Sequence, residues 1–211
     1  MSPRGTLASR HATDPPGERP LDVAMFTPSA FGGHARYTRE LLSALVEAGE
    51  TRGVRPSLVT SEDLADEHRT DAYPIHAVLP RLVPRSEFPG KAAWAASRLT
   101  HYPRRERALL RWVKNRPGLD LLHTQELTPW IAPWLYRAVR RRGVAVVETV
   151  HNIHAHHYFN RAHRALGDRL TRAAWRTCDA LLVHTEGLQA ELFAYLGPGH
   201  PPVFVSPHGV W

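Results

Sequence analysis

The chain has 211 residues, 43% of them hydrophobic, enough for one domain with a true core; long disorder and collagen-like classes are excluded. No stretch reaches the roughly 18–20 uninterrupted apolar residues of a membrane span, and residues 1–20 lack the apolar centre of a secretory signal. A single cysteine, Cys178, excludes an internal disulfide framework and fits a reducing, cytoplasmic setting. The net charge of +7 favours anionic partners, but it comes from 25 arginines against two lysines, Lys91 and Lys114. Codon usage explains that ratio as well as a binding face does.

Residues 1–20 carry Pro3, Gly5, Pro15, Pro16, Gly17 and Pro20 without periodicity and read as a disordered tail. From Leu21 short apolar runs alternate with helical patterns. The expected strands are Leu21–Phe26, Val54–Thr60, Ile75–Leu79, Leu119–His123, Val144–Val150, Ala180–His184 and Val203–Ser206. Most are continuous apolar runs, as in strands covered on both faces. Helical stripes follow at Tyr37–Val46, ending near Gly49, at Trp130–Val139, stopped by Gly143, at Leu166–Ala174, and at Leu188–Leu196, stopped by Gly197 and Pro198. A further helical stretch from about Lys91 to Arg116 is expected to break at Pro103.

This alternation specifies an α/β fold: a doubly wound, mostly parallel Rossmann-like sheet of about seven strands with helices on both faces. With strand order 3-2-1-4-5-6, ligands bind beyond the carboxyl ends of strands one, four and five. Three segments meet that test. Thr27–His34 follows strand one and opens a helix; Gly32 and Gly33 permit positive φ and close backbone approach, and the helix start offers free N–H groups to an anion. The spacing is neither G-x-G-x-x-G nor a Walker A loop, and a plain glycine turn explains it equally well. His123 ends strand four within Asp120–Glu126, and His151 ends strand five within Glu148–Asn152. A histidine there can bond a sugar hydroxyl or move a proton near neutral pH. With 14 histidines in the chain, most serve structure; position raises His151 above the rest.

The run from His151 through His154, His156 and His157 has no adjoining carboxylate, and Cys178 is remote, so no metal is expected. Arg104, Arg105, Arg107, Arg111, Lys114 and Arg116 interleave with Leu109, Leu110, Trp112 and Val113. Such a helix either lies on an anionic membrane surface or simply has an arginine-rich solvated face. Arg137, Arg140, Arg141 and Arg142 suit a helix C-terminus. No nucleic-acid-reading pattern is present.

The order of these motifs resembles the start of glycosyltransferase family 4. The Gly-Gly turn, Asp120-Leu121-Leu122-His123, Thr149-Val150-His151, Cys178-Asp179-Ala180-Leu181-Leu182-Val183-His184-Thr185 and Val205-Ser206-Pro207-His208-Gly209-Val210 occur in sequence, and the likeness spans residues 21–211. The resemblance implies one half of a GT-B architecture: an acceptor-side domain facing a second domain that holds a nucleotide-sugar. It implies a retaining, metal-independent transfer to the hydroxyl of a glycan, lipid-linked or small-molecule acceptor, with no cofactor beyond the nucleotide-sugar co-substrate. Gly32 and Gly33 would approach the donor diphosphate or sugar, His151 would contact the transferred sugar, and His123 and His34 would support the cleft. The family's Arg/Lys pair for the leaving diphosphate and its E-x7-E-type segment are not found up to Trp211 and are expected in a C-terminal donor domain supplied in cis or in trans, so the chain by itself is expected to be inactive. Residues 82–90 are expected to form a loop over the cleft that sets acceptor choice. Peripheral contact with the inner face of a membrane is compatible with these features. Two alternatives stay open: a non-catalytic glycan- or partner-binding module, and another nucleotide-binding Rossmann enzyme, for example a nicotinamide-dependent one.

Overall fold

A computed structural model describes residues 19–126, 128–153 and 161–207. Seven strands, β1 (Leu21–Phe26), β2 (Val54–Ser61), β3 (Ile75–Leu79), β4 (Leu121–Thr124), β5 (Ala145–Thr149), β6 (Ala180–Val183) and β7 (Val203–Val205), form one sheet in the order β3-β2-β1-β4-β5-β6-β7. Every neighbouring pair is parallel. Between them run α1 (Gly32–Arg52), α2 (Lys91–Lys114), α3 (Ala132–Arg140), α4 (Arg161–Trp175) and α5 (Glu186–Leu196). This is the doubly wound fold expected from the apolar runs.

Alternation within the strands divides the core. Met25 and Leu58 face α1 and pack with Leu42, Leu64 and Tyr73. Ala24, Phe26, Leu122, Val146 and Leu181 belong to a larger cluster that also takes in Leu109 of α2, Tyr136 of α3, Trp175 of α4 and Leu192 of α5. Successive side chains of a strand point to opposite faces, so β1 feeds both clusters at once and is buried from Val23 to Phe26.

Three expectations change. α1 continues past Gly49 and ends at Arg52, with Gly53 as its left-handed cap at φ +62°. A Cβ on Gly49 would come within 2.7 Å of the Val54 carbonyl oxygen, so that glycine serves the close approach of β2 rather than a helix stop. α2 runs unbroken through Pro103. Proline removes one helical N–H and costs about 3 kcal/mol; the half that follows is pinned by Arg105, Glu106, Leu109 and Val113, all buried. Finally, Arg19, which composition places in the tail, donates two hydrogen bonds to the Asp120 carboxylate at 2.7 and 2.6 Å, so the chain is anchored two residues before β1.

Arginines also fasten the strand starts elsewhere: Arg116 grips Asp22 through Nε and Nη2, and Arg140 grips Asp179, whose carboxylate also accepts from the Val146 N–H. Part of the arginine excess is therefore structural and sits at the sheet edge opposite the site. Arg105 is buried and Arg116 is paired, leaving Arg104, Arg107, Arg111 and Lys114 exposed along α2. Among the described residues no helix is long and apolar enough to cross a membrane.

Candidate functional site

Parallel register brings the carboxyl ends of the central strands into line. Phe26 pairs with Thr124, Thr124 with Glu148, and Thr149 with Leu182. The residues that follow these pairs, Gln125, His151 and His184, therefore emerge side by side. The ladder continues through Gln125 N–H to the Phe26 carbonyl at 3.0 Å and Val150 N–H to the Leu182 carbonyl at 2.8 Å, which fixes the last backbone positions before the side chains diverge.

Into this edge runs the start of α1. Phe31 is its N-cap in extended conformation with no side-chain cap, and no acidic residue occupies the first turn. Its first N–H groups, and the positive end of the helix dipole, are thus left to whatever binds there. Gly32 sits at φ +79°, where a side chain would be strained, and a Cβ placed on either Gly32 or Gly33 would meet nothing within 4 Å. The next residue, His34, places its ring 4.7 Å from that of His151, so the glycine turn and His151 share one rim. Tyr37, one turn on, stands edge-on to His151 and to His184, each at 5.3 Å.

Behind the rim lies a row of polar contacts. The His184 Nδ1 is 3.1 Å from the Ser206 carbonyl oxygen, its Nε2 is 3.1 Å from His151 Nδ1, and His151 Nε2 is 3.3 Å from Gln125 Oε1. Gln125 Nε2 continues to His123 Nε2 at 3.3 Å, and that nitrogen also meets Thr149 Oγ1 at 2.8 Å. His123 is buried rather than set in the opening, and burial pushes its pKa down to about 4, so it is neutral. One layer deeper, Glu148 accepts from Tyr136 Oη at 2.6 Å and Trp175 Nε1 at 3.0 Å; burial lifts its pKa to about 7.

On the other side of the same turns lies a cavity of about 440 Å³ lined by Phe31, Glu126, Trp130, Tyr102, Arg105 and Glu106, among others. Phe31 immediately precedes the glycines, and Glu126 immediately follows Gln125, so cavity and histidine cluster adjoin. Arg105 donates to the Pro28 carbonyl at 2.6 Å, while its Nη1 has no partner among the described residues. Burial lowers its pKa against the opposing pull of Asp63, Glu126 and Glu106 nearby. Glu106 has a buried Oε2 without a partner among the described residues, and burial raises its pKa to about 7 despite Arg105. Leu82 and Pro84 line the cavity, so the loop expected at residues 82–90 does reach it.

Gly32, Gly33, His34, His123 and His151 thus gather at one edge, His123 beneath the others. The histidine run beyond Ile153 and the segment from His208 onward lie outside the described residues. Among the described residues no group of three His, Cys, Asp or Glu side chains is placed to hold a metal ion. Sequence reasoning misses His184, Gln125, Tyr37 and Arg105. Extending the strand-end test one strand further, to β6, is enough to find His184.

The family model described as Glycosyltransferase Family 4 matches residues 31–210. The chain belongs to glycosyltransferase family 4. Solved structures agree on the fold. A sucrose-phosphate synthase from Thermosynechococcus elongatus aligns at TM-score 0.58 and 15% identity, covering 90% of each chain. A UDP-glucosyltransferase from Polygonum tinctorium capable of glucosylating indoxyl aligns at TM-score 0.58 and 14% identity, covering 90% of this chain and 53% of its own. Anabaena Alr3699/HepE, solved in complex with UDP-glucose, aligns at TM-score 0.51 and 13% identity, covering 88% of this chain and 43% of its own. The chain therefore spans about half the length of these last two glycosyltransferases. Among curated proteins no match was found. Membership of this family leaves the nicotinamide-dependent alternative without support.

Proposed function

We propose that this chain is the acceptor-side lobe of a retaining glycosyltransferase that moves a sugar from a nucleotide-sugar to an acceptor hydroxyl. The observation that carries the reading is the shared rim: the uncapped first turn of α1 at Gly32-Gly33 and the His151 imidazole meet at one edge of the sheet, with the cavity on the other side of the same turns. Each part suits a separate demand of glycosyl transfer. The helix start offers N–H groups and a positive dipole to an anionic diphosphate. The bare glycines let it come close. His151 offers an imidazole N–H to a sugar oxygen near the reacting carbon. The cavity, with the carboxylates of Asp63, Glu106 and Glu126 and the guanidinium groups of Arg81, Arg98 and Arg105 set among Trp130, Tyr102 and Phe31, matches a hydroxylated acceptor that must be both bonded and oriented.

Most of the leaving-group charge must be neutralised elsewhere, since α1 supplies only partial charges; a second, donor-holding lobe is part of the proposal, and a metal is not. The structural neighbours solved with UDP or UDP-glucose support a nucleotide-sugar donor.

The test separates holding from transferring. His151→Ala in the complete protein is expected to lower the rate of sugar transfer about 100-fold or more, with the acceptor dissociation constant changed less than about threefold. Wild-type turnover in that variant would remove His151 from the mechanism. Acceptor binding with no turnover by the complete wild-type protein would favour the non-catalytic binding module.

A further inference from the structure

We propose that His151 and His184 act as one titrating unit that holds a single shared proton, with His184 as the positioning residue that orients His151. Counting hydrogens along the row gives the charge of the pair. A backbone carbonyl only accepts, so the contact between Ser206 and His184 Nδ1 requires hydrogen on that nitrogen. With the Gln125 amide oriented as it is here, its oxygen faces His151 Nε2 and only accepts, so in this orientation hydrogen sits there too. The two inner nitrogens, His184 Nε2 and His151 Nδ1, stand 3.1 Å apart and need one further hydrogen between them. Three hydrogens on the four nitrogens of two imidazoles leave the pair with one positive charge.

The row carries this state inward. With its oxygen committed to His151, Gln125 turns its NH₂ to His123 Nε2, which must then accept and carry its hydrogen on Nδ1. When the pair gives up one proton, hydrogen stays on His184 Nδ1 and between the two rings, and His151 Nε2 becomes an acceptor. A turn of the Gln125 amide satisfies it, and that turn presents oxygen to His123, whose hydrogen must move to Nε2. The charge at the rim and the tautomer of a buried histidine are thereby coupled through one amide. Among the described residues the other titratable groups facing the pair are His34 and Tyr37 on α1 and His123 on β4; burial raises the Tyr37 pKa and keeps it a neutral hydroxyl. The pair stands beside the first turn of α1, so when protonated it adds a full charge to the partial charge of the helix start. That catalytic consequence rests on the proposed sugar transfer; the shared proton does not.

The two parts are tested separately. Imidazole nitrogen NMR of the chain between pH 5 and 9 is expected to show one proton taken up jointly by His151 and His184, with His123 changing tautomer at the same midpoint without itself becoming charged. Independent uptake of a full proton by each of His151 and His184, or a His123 signal blind to that midpoint, would overturn the proposal from the wild-type protein alone. His184→Gln, checked for native circular dichroism, should abolish the His123 response. In the complete protein the same variant should lower kcat at least about tenfold with acceptor KM within about twofold, and shift the pH–rate midpoint by at least about half a unit. A pH–rate profile that ignores the NMR midpoint would leave the shared proton standing and sink its role in transfer.

Discussion

Tyr136 donates its hydroxyl hydrogen to the carboxyl of Glu148 at 2.6 Å, a residue only 2% exposed. Trp175 reaches the other oxygen from α4, so this one side chain ties two helices to β5 directly under the candidate site. Burial raises its folded-state pKa from 4.5 to about 7. The folded state therefore holds the proton more tightly, and the contribution to stability is fully present below pH 4.5 and is lost as pH rises to 7. Between pH 5 and pH 8 the loss is about 2 to 3 kcal/mol. Glu148→Gln keeps a carbonyl oxygen for Trp175 and turns its NH₂ to the Tyr136 hydroxyl, which can donate to Thr124 Oγ1 at 3.1 Å instead. The difference in unfolding free energy between variant and wild type should therefore move in the variant's favour by about that amount from pH 5 to pH 8, read by urea unfolding at both.

His123 runs the opposite way. Its pKa falls from 6.5 to about 4 on folding, because burial disfavours the imidazolium. Stability is then lost as pH falls from 6.5 towards 4, by about 2 kcal/mol between pH 7.5 and pH 5. His123→Gln, which still offers Thr149 a polar partner, should remove that acid sensitivity. Because the two buried groups act with opposite signs, the wild-type curve alone is flattened; the paired variants separate the slopes.

Arg105 joins α2 to the turn after β1. Its bond to the Pro28 carbonyl is 2.6 Å long, and the residue as a whole is 4% exposed. Charged-donor bonds of this kind contribute about 1.5–3 kcal/mol. Arg105→Met keeps most of the volume and removes the bond, so it should cost about that much stability by thermal or urea unfolding. It also removes a polar group from the cavity wall, so acceptor KM should rise while donor KM stays within about twofold. A rise confined to donor KM would place the acceptor elsewhere.

The strands are legible in the sequence because both faces of the sheet are covered and their apolar runs are nearly continuous. The strand-end rule then picks out Gly32, Gly33, His123 and His151 from the sequence alone. Distant pairing is not legible: His184 lies 33 positions from His151, and only the register of β5 against β6 brings them within 3.1 Å. Arg105 is hidden for another reason. It sits within a basic stretch in which Arg104, Arg107 and Arg111 are exposed, and nothing in composition says which arginine turns inward. Pro103 misleads because propensity is local, whereas the packing that holds α2 together across it is tertiary.

The two glycines at the rim have separable duties. Gly32 stands at φ +79°, so Gly32→Ala should cost about 1 kcal/mol or more through backbone strain, with or without a ligand. Gly33 has no such φ, and a Cβ there meets nothing within 4 Å. Gly33→Ala should leave stability within about 0.5 kcal/mol of wild type or raise it slightly, since alanine suits a helix better than glycine. If that open space is where the donor diphosphate approaches α1, the same methyl should raise donor KM at least about tenfold in the complete protein, with acceptor KM little changed. Unfolding curves and donor titrations on the two variants check this together. A Gly33→Ala protein with wild-type stability and wild-type donor KM would show the turn to be a conformational device only, and would move the diphosphate away from the start of α1.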